Sequence, residues 1–151
     1  PRMRELLSKM RVHMSAERVI DSMRRVAEQT KGMTSMTDIE LDIDIDNMLK
    51  GNFHPMVRRH PESDQISLYV DAVYAVNIEG MTRYESKPIL DFLVQHITQE
   101  FFSCRLRWSP NTIAIWDNRL CLHRAFNDYD GYRREMHRTT VLGEIPIPAF
   151  G

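Results

Sequence analysis

From residue 54 onward the chain is written mostly in short strand-like runs, and this limits its fold more than any other feature. Residues 66–76, 104–108, 112–116, 120–123 and 135–142 are rich in β-branched, aromatic and alternating apolar side chains, with turn-type residues between them. Such runs predict strands. One stretch breaks the series. Residues 82–96 place Ile89, Leu90, Phe92, Leu93 and then Ile97 on one side, the spacing of an amphipathic helix. A proline-punctuated connection, HPMVRRHPES, leads into the region, and a Pro/Gly tail, EIPIPAFG, ends it.

The opening thirty residues have a different period. Met3, Leu6, Leu7, Met10 and Met14, then Val19, Ile20, Met23 and Ala27, recur at intervals of three and four, which predicts helix. Ser15 is placed to cap the second of two helices. A Met-rich stripe of this kind reads as a core face rather than a membrane-lying one. Residues 30–36 read as a loop. In residues 38–46, DIELDIDID, Ile39, Leu41, Ile43 and Ile45 alternate with five acids, as in a strand with one wet face, a solvated edge or an insertion. A calcium loop starting at Asp42 fails at two anchors, because Asn47 replaces the turn glycine and Phe53 replaces the closing glutamate.

At 151 residues the chain fits one domain, since domains run at roughly 150 residues each. Twenty basic against twenty-one acidic side chains leave a formal charge of −1, so nothing draws the whole chain to nucleic acid or an anionic membrane. Any anion recognition must be local. Cys104 and Cys121 are too few for a disulfide framework and fit a reducing, cytoplasmic compartment. No apolar run approaches the ~18 residues of a membrane span. None of the six histidines forms an HxxxH or HExxH pair, and no GxSxG, phosphate-cradling glycine loop or CxxC occurs.

Chemistry concentrates in residues 111–138, NTIAIWDNRLCLHRAFNDYDGYRREMHR. A strand-like run delivers His123 at its end, and a loop leads to a second run bearing Arg134 and Arg138. In an extended chain those arginines share a face with Met136 and Thr140, while Arg133, Glu135 and His137 face the other way. Four residues at ~3.3 Å separate the two anchor points by about 13 Å, which suits two separate anions better than both ends of one five-carbon diacid. The planar guanidinium fork grips a carboxylate or sulfonate through paired hydrogen bonds. The competing reading pairs the same arginines with Asp117, Asp128 and Asp130.

HPMVRRHPES, the following LYV, FLVQHIT, RLRW, IWDNR with a histidine four residues on, DY, and RREMHRTTVLGE together resemble the C-terminal half of the taurine dioxygenase/TfdA-like family over residues 54–146. That family comprises Fe(II)- and 2-oxoglutarate-dependent dioxygenases. The resemblance implies an α+β protein with a double-stranded β-helix (jelly-roll-like) core and flanking helices, here only partly covered. It makes residues 1–151 the C-terminal portion of one dioxygenase domain, which the chain's own patterning divides into a helical part (1–30), an insertion or loop (31–53), for which the resemblance gives no guide, and a β-rich core (54–151). It implies that His123 is one ligand of a two-His-one-carboxylate iron triad and that Arg134 binds the distal carboxylate of 2-oxoglutarate. Arg138 then faces the substrate's anionic group, and Trp116 lines the pocket. The implied reaction uses O₂ to hydroxylate a small anionic organic compound, a sulfonate, alkyl sulfate or aryloxyalkanoate, and releases succinate and CO₂. A homo-oligomer is implied as well.

The family's other two iron ligands come from an HxD motif in its first half, and no HxD occurs here. His60–Pro61–Glu62 is a formal HxE, but it lies inside the matching proline-rich connection and reads as structural. Half a roll would leave long unpaired edges, which folded proteins avoid. The expectation is therefore a longer chain of roughly twice this size, with the rival that this is a non-catalytic remnant or interaction module. Asp71 departs from the resemblance, which leads to a neutral polar residue there.

Overall fold

A computed structural model describes residues 2–29, 44–126, 129–133 and 135–150. In chain order the elements are α1 (Arg2–Leu7), β1 (Arg11–Met14), α2 (Glu17–Gln29), α3 (Ile45–Lys50), β2 (Asn52–Pro55), β3 (Val57–Arg59), β4 (Ile66–Leu68), β5 (Ala75–Ile78), α4 (Arg83–Ile97), a 3₁₀ turn (Glu100–Phe102) and β6 (Ile147–Pro148). No described helix is long and apolar enough to cross a membrane.

The first thirty residues divide near Ser15, but into three elements rather than two helices. Between α1 and α2 lies β1, the middle strand of an antiparallel sheet ordered β2-β1-β5. Arg11 is exposed, Val12 wholly buried and His13 and Met14 half-buried, and the polar–apolar alternation of these four residues is hidden by the longer helical pattern. Two hydrogen-bonded neighbours override helix propensity at these four residues. The Ser15 hydroxyl accepts the Glu17 N–H at 3.2 Å and donates to the Leu49 carbonyl at 2.7 Å, so it both starts α2 and fixes it to α3.

The acidic alternation ends in a helix. Asp44 caps α3 by accepting the Asn47 N–H at 3.0 Å, and Ile45 and Asp46 belong to that helix. This differs from the strand expectation because the carboxylate satisfies a helix-end donor that a strand would leave to its neighbour. Residues 38–43 of the alternation lie outside the described residues. Gly51 ends α3 at φ 62° and presses against β1: a Cβ there would stand 2.1 Å from the Met14 carbonyl oxygen.

The run at 66–76 makes two strands, β4 and β5, rather than one. Asp71 turns the chain between them by accepting the N–H groups of Val73 and Tyr74 at 2.7 and 2.6 Å. The second sheet is ordered β4-β3-β6, also antiparallel. Helix α4 forms where its spacing predicts, opened by a capping box between Thr82 and Glu85. Its Leu90 and Leu93 are buried, whereas Phe92 is half exposed. Val12, Met56, Val70, Ile78, Leu90 and Leu93 join both sheets and α4 in one core. Each such apolar side chain contributes about 1.5–3 kcal/mol by leaving water.

Residues 103–146 differ. The runs at 104–108, 112–116, 120–123 and 135–142 form no strand among the described residues, and Ile113, Ile115, Val141, Leu142 and Ile145 are all more than 80% exposed. A strand exists through its ladder, and no described segment offers one here. The structure is thus mixed α+β with two small antiparallel sheets.

Candidate functional site

Asp117 begins a tight turn. Its carbonyl accepts the N–H groups of Leu120 and Cys121 at 3.1 and 2.9 Å, and its carboxylate accepts the Arg119 N–H at 2.8 Å. At the mouth of the turn the Trp116 indole N–H donates to Asn118 Oδ1 at 2.8 Å. The chain thereby doubles back and sets the His123 ring 5.0 Å from that of Trp116, tilted by 51°. His123 is exposed and Trp116 is partly so. The RLRW segment joins the same region, with the Arg105 guanidinium 4.5 Å over the Phe126 ring.

The turn is fastened to the second sheet by charge. Arg119 contacts Asp117 at 2.7 Å, Glu62 at 2.9 Å and Glu144 at 3.4 Å. The Arg119 guanidinium, and after it the His60 imidazole, hold the Asp117 carboxyl well below the usual carboxylate range. Asp117 in turn strengthens the charge on Arg119, with a further contribution from Glu62. His60 is buried, and its Nδ1 accepts the N–H groups of Glu62 and Ser63 at 3.2 and 3.0 Å. The ring proton therefore sits on Nε2, which donates to Asp117 Oδ2 at 3.0 Å. Beneath them the buried Arg58 meets Glu144 at 3.1 Å. A buried cation needs such a partner.

The site residues expected from sequence are only partly brought together. His123 and Trp116 are neighbours. Arg138 is exposed, and Arg134 lies outside the described residues. Glu135 contacts both Arg133 and His137, so residues two apart meet as in an extended stretch. Asp117, suggested as a partner for Arg134 or Arg138, is engaged by Arg119 and His60 instead. Asp128 lies outside the described residues. Sequence reasoning missed the 117–119 pairing. Its signal was an aspartate able to accept its own turn's N–H, with an opposite charge two residues on.

Among the described residues no three of His, Cys, Asp or Glu gather as a metal would require. One imidazole does not hold Fe(II) for catalysis, so these residues alone do not complete an iron site. A surface cavity of about 570 Å³ lies elsewhere, between α4 and residues 71–76. Its cations are engaged: Arg18 with the Ala72 carbonyl, Arg83 with Glu17 and Lys87 with Asp91.

Comparison with known proteins agrees with the motif segment. The family model described as taurine catabolism dioxygenase TauD, TfdA family matches residues 17–140. The chain is 44% identical over 98 residues to alpha-ketoglutarate-dependent dioxygenase cnsP of Penicillium expansum, covering 64% of this chain and 26% of that protein. It is 35% identical over 98 residues to the alpha-ketoglutarate-dependent sulfate ester dioxygenase of Pseudomonas putida, covering 65% and 32%. With the alpha-ketoglutarate-dependent 2,4-dichlorophenoxyacetate dioxygenase of Cupriavidus pinatubonensis it shares 37% over 93 residues, covering 62% and 32%. The chain thus spans about a quarter to a third of the length of these relatives. In fold it is similar to AAD-2, solved in complex with Mn(II) and N-oxalylglycine, with a TM-score of 0.50 at 24% identity over 72% of this chain and 37% of that one. With most of its length matched by the family model, the chain belongs to the TauD, TfdA family of taurine catabolism dioxygenases.

Proposed function

We propose that this chain carries one wall of an Fe(II)- and 2-oxoglutarate-dependent dioxygenase with a double-stranded β-helix core. Its substrate is a small anionic organic compound of the sulfonate, alkyl sulfate or aryloxyalkanoate type. Such chemistry couples oxidation of a substrate C–H bond by O₂ to conversion of 2-oxoglutarate into succinate and CO₂. In this reading His123 supplies one neutral imidazole to the metal, and Trp116 lines the space beside it. Arg134 takes the distal carboxylate of 2-oxoglutarate, and Arg138 takes the substrate's anionic group. The chain's own task is positioning: two guanidiniums fix two anions, so that one substrate carbon is held nearest the metal. Each charge-assisted hydrogen bond contributes about 1.5–3 kcal/mol.

The supporting observation is the placement of His123 against Trp116 at 5.0 Å by a turn tied to a folded sheet, inside the segment that the family model matches. Two relatives named for sulfate ester and 2,4-dichlorophenoxyacetate oxidation support the anionic substrate class.

The test is succinate release with Fe(II), ascorbate and a panel of sulfonates, alkyl sulfates and aryloxyalkanoates. It uses the chain joined to an upstream segment bearing HxD. The expected result is turnover that is lost in H123A, a raised 2-oxoglutarate requirement in R134A and a raised substrate requirement in R138A. A protein so completed that binds neither iron nor 2-oxoglutarate sinks the reading and leaves the interaction-module alternative.

A further inference from the structure

His60 has a bonding pattern more specific than a packed core residue needs. Both ring nitrogens are committed. Nδ1 accepts two successive backbone N–H groups, from Glu62 and Ser63, and this leaves Nε2 as the protonated nitrogen. That N–H points across the sequence to Asp117 Oδ2, 57 residues on, at 3.0 Å. The ring is 4% exposed, so its orientation is set by packing as well as by hydrogen bonds. Asp117 is the first residue of the turn whose carbonyl accepts Leu120 and Cys121, and whose two flanks carry Trp116 and His123. Residues 103–146 form no ladder among the described residues, so side-chain contacts carry the attachment of this turn to β3 and the residues after it.

We propose that His60 is a positioning residue for the Trp116–His123 pair. Its imidazole, oriented by the Glu62 and Ser63 amides, holds the Asp117 carboxylate and through the 117–121 turn sets where the His123 ring stands. Arg119 grips the same carboxylate, but from within the turn. It also reaches Glu62, so the two side chains fasten the turn to residues 60–62 from both sides. The functional weight of this placement rests on the proposed role of His123. The placement itself does not.

Two conservative variants separate the halves of the bonding pattern. His60→Asn keeps an acceptor for the two backbone amides but is too short to reach Asp117. His60→Gln presents an N–H near the position of Nε2 and keeps the hold on Asp117. The readout is the proton NMR displacement that the Trp116 ring current imposes on the His123 ring signals, recorded on the 151-residue chain at a pH of about 8. The signals are assigned with H123Q, and the displacement is defined as the part that disappears in W116L.

The expected result is a displacement retained in H60Q and reduced at least twofold in H60N, with far-UV circular dichroism unchanged in both. An H60N displacement equal to the parent's overturns the proposal. So does an H60Q loss as large as that of H60N, which indicates packing alone. Should H60N fail to fold, Asp117→Asn weakens the same contact from its other end; the same reduction supports the proposal and an unchanged displacement overturns it. The readout involves neither iron nor turnover. A chain that shows the displacement pattern but, when completed upstream, binds no iron or 2-oxoglutarate loses the proposed function and keeps the positioning role.

Discussion

Residues 44–102 and residues 103–146 contain similar strand-like sequence, yet among the described residues only the first set forms sheets. In the first, β2, β3, β4 and β5 each find an antiparallel neighbour, and Met56, Val70 and Ile78 disappear from solvent. In the second, Ile115 and Leu142 remain 93% and 97% exposed. The difference is in the neighbours, not the residue types. Alternation decides which side of a strand is apolar, while a ladder partner decides whether the strand exists. The segment this chain shares with its relatives covers only 26–32% of their length.

Substitutions placed in each region in turn separate packed from unpacked sequence. Met56→Ala, in the shared core, is expected to cost about 2–5 kcal/mol in urea denaturation. Gly51→Ala should cost about 1–3 kcal/mol for its positive φ, and more for the clash with the Met14 carbonyl, read by the same midpoint.

Asp117→Asn tests the electrostatic tie between the regions. Because Arg119 and His60 lower the native pKa of Asp117 below its ordinary 3.8, the ionised group stabilises the fold above that pH. The benefit is lost as pH falls further, so the variant should show a shallower decline in stability on acidification below pH 3.8. His54 offers a smaller control of the same sign, at higher pH, within the first region. Burial, then the charges of Arg11 and Arg58, lower its pKa below 6.5, so protonating it opposes the fold. Its contribution is present above 6.5 and lost as pH falls through the lowered value. His54→Gln should therefore flatten stability just below 6.5. The smallest effect is expected for Ile115→Ala and Leu142→Ala, each within about ±0.5 kcal/mol. A loss above 2 kcal/mol at either would show that this region is packed after all.

Legibility followed locality. Helix α4 was readable because its cap, period and apolar face all lie within sixteen residues. β1 was not, because four residues of alternation sit inside a longer three-and-four pattern and only distant partners choose between them. Asp44 read as part of a strand because alternation carries no mark of a helix cap. In the site, IWDNR and its histidine could be recognised as a unit, and the structure adds what ties that unit down. The tie joins residues 57 apart, a separation that no local pattern reports.

β6 pairs with Arg58 and Arg59, Arg59 also donates to the Ala149 carbonyl, and Arg4 lies over the Phe150 ring. The long span carrying His123 is therefore a rope made fast at both ends, by α4 before it and by these contacts after it. Such mooring keeps the span at high effective concentration near the sheet it serves, so whatever surface finally covers it meets a confined search rather than a free one. Untying the last few residues would lengthen that search without touching a single side chain of the span.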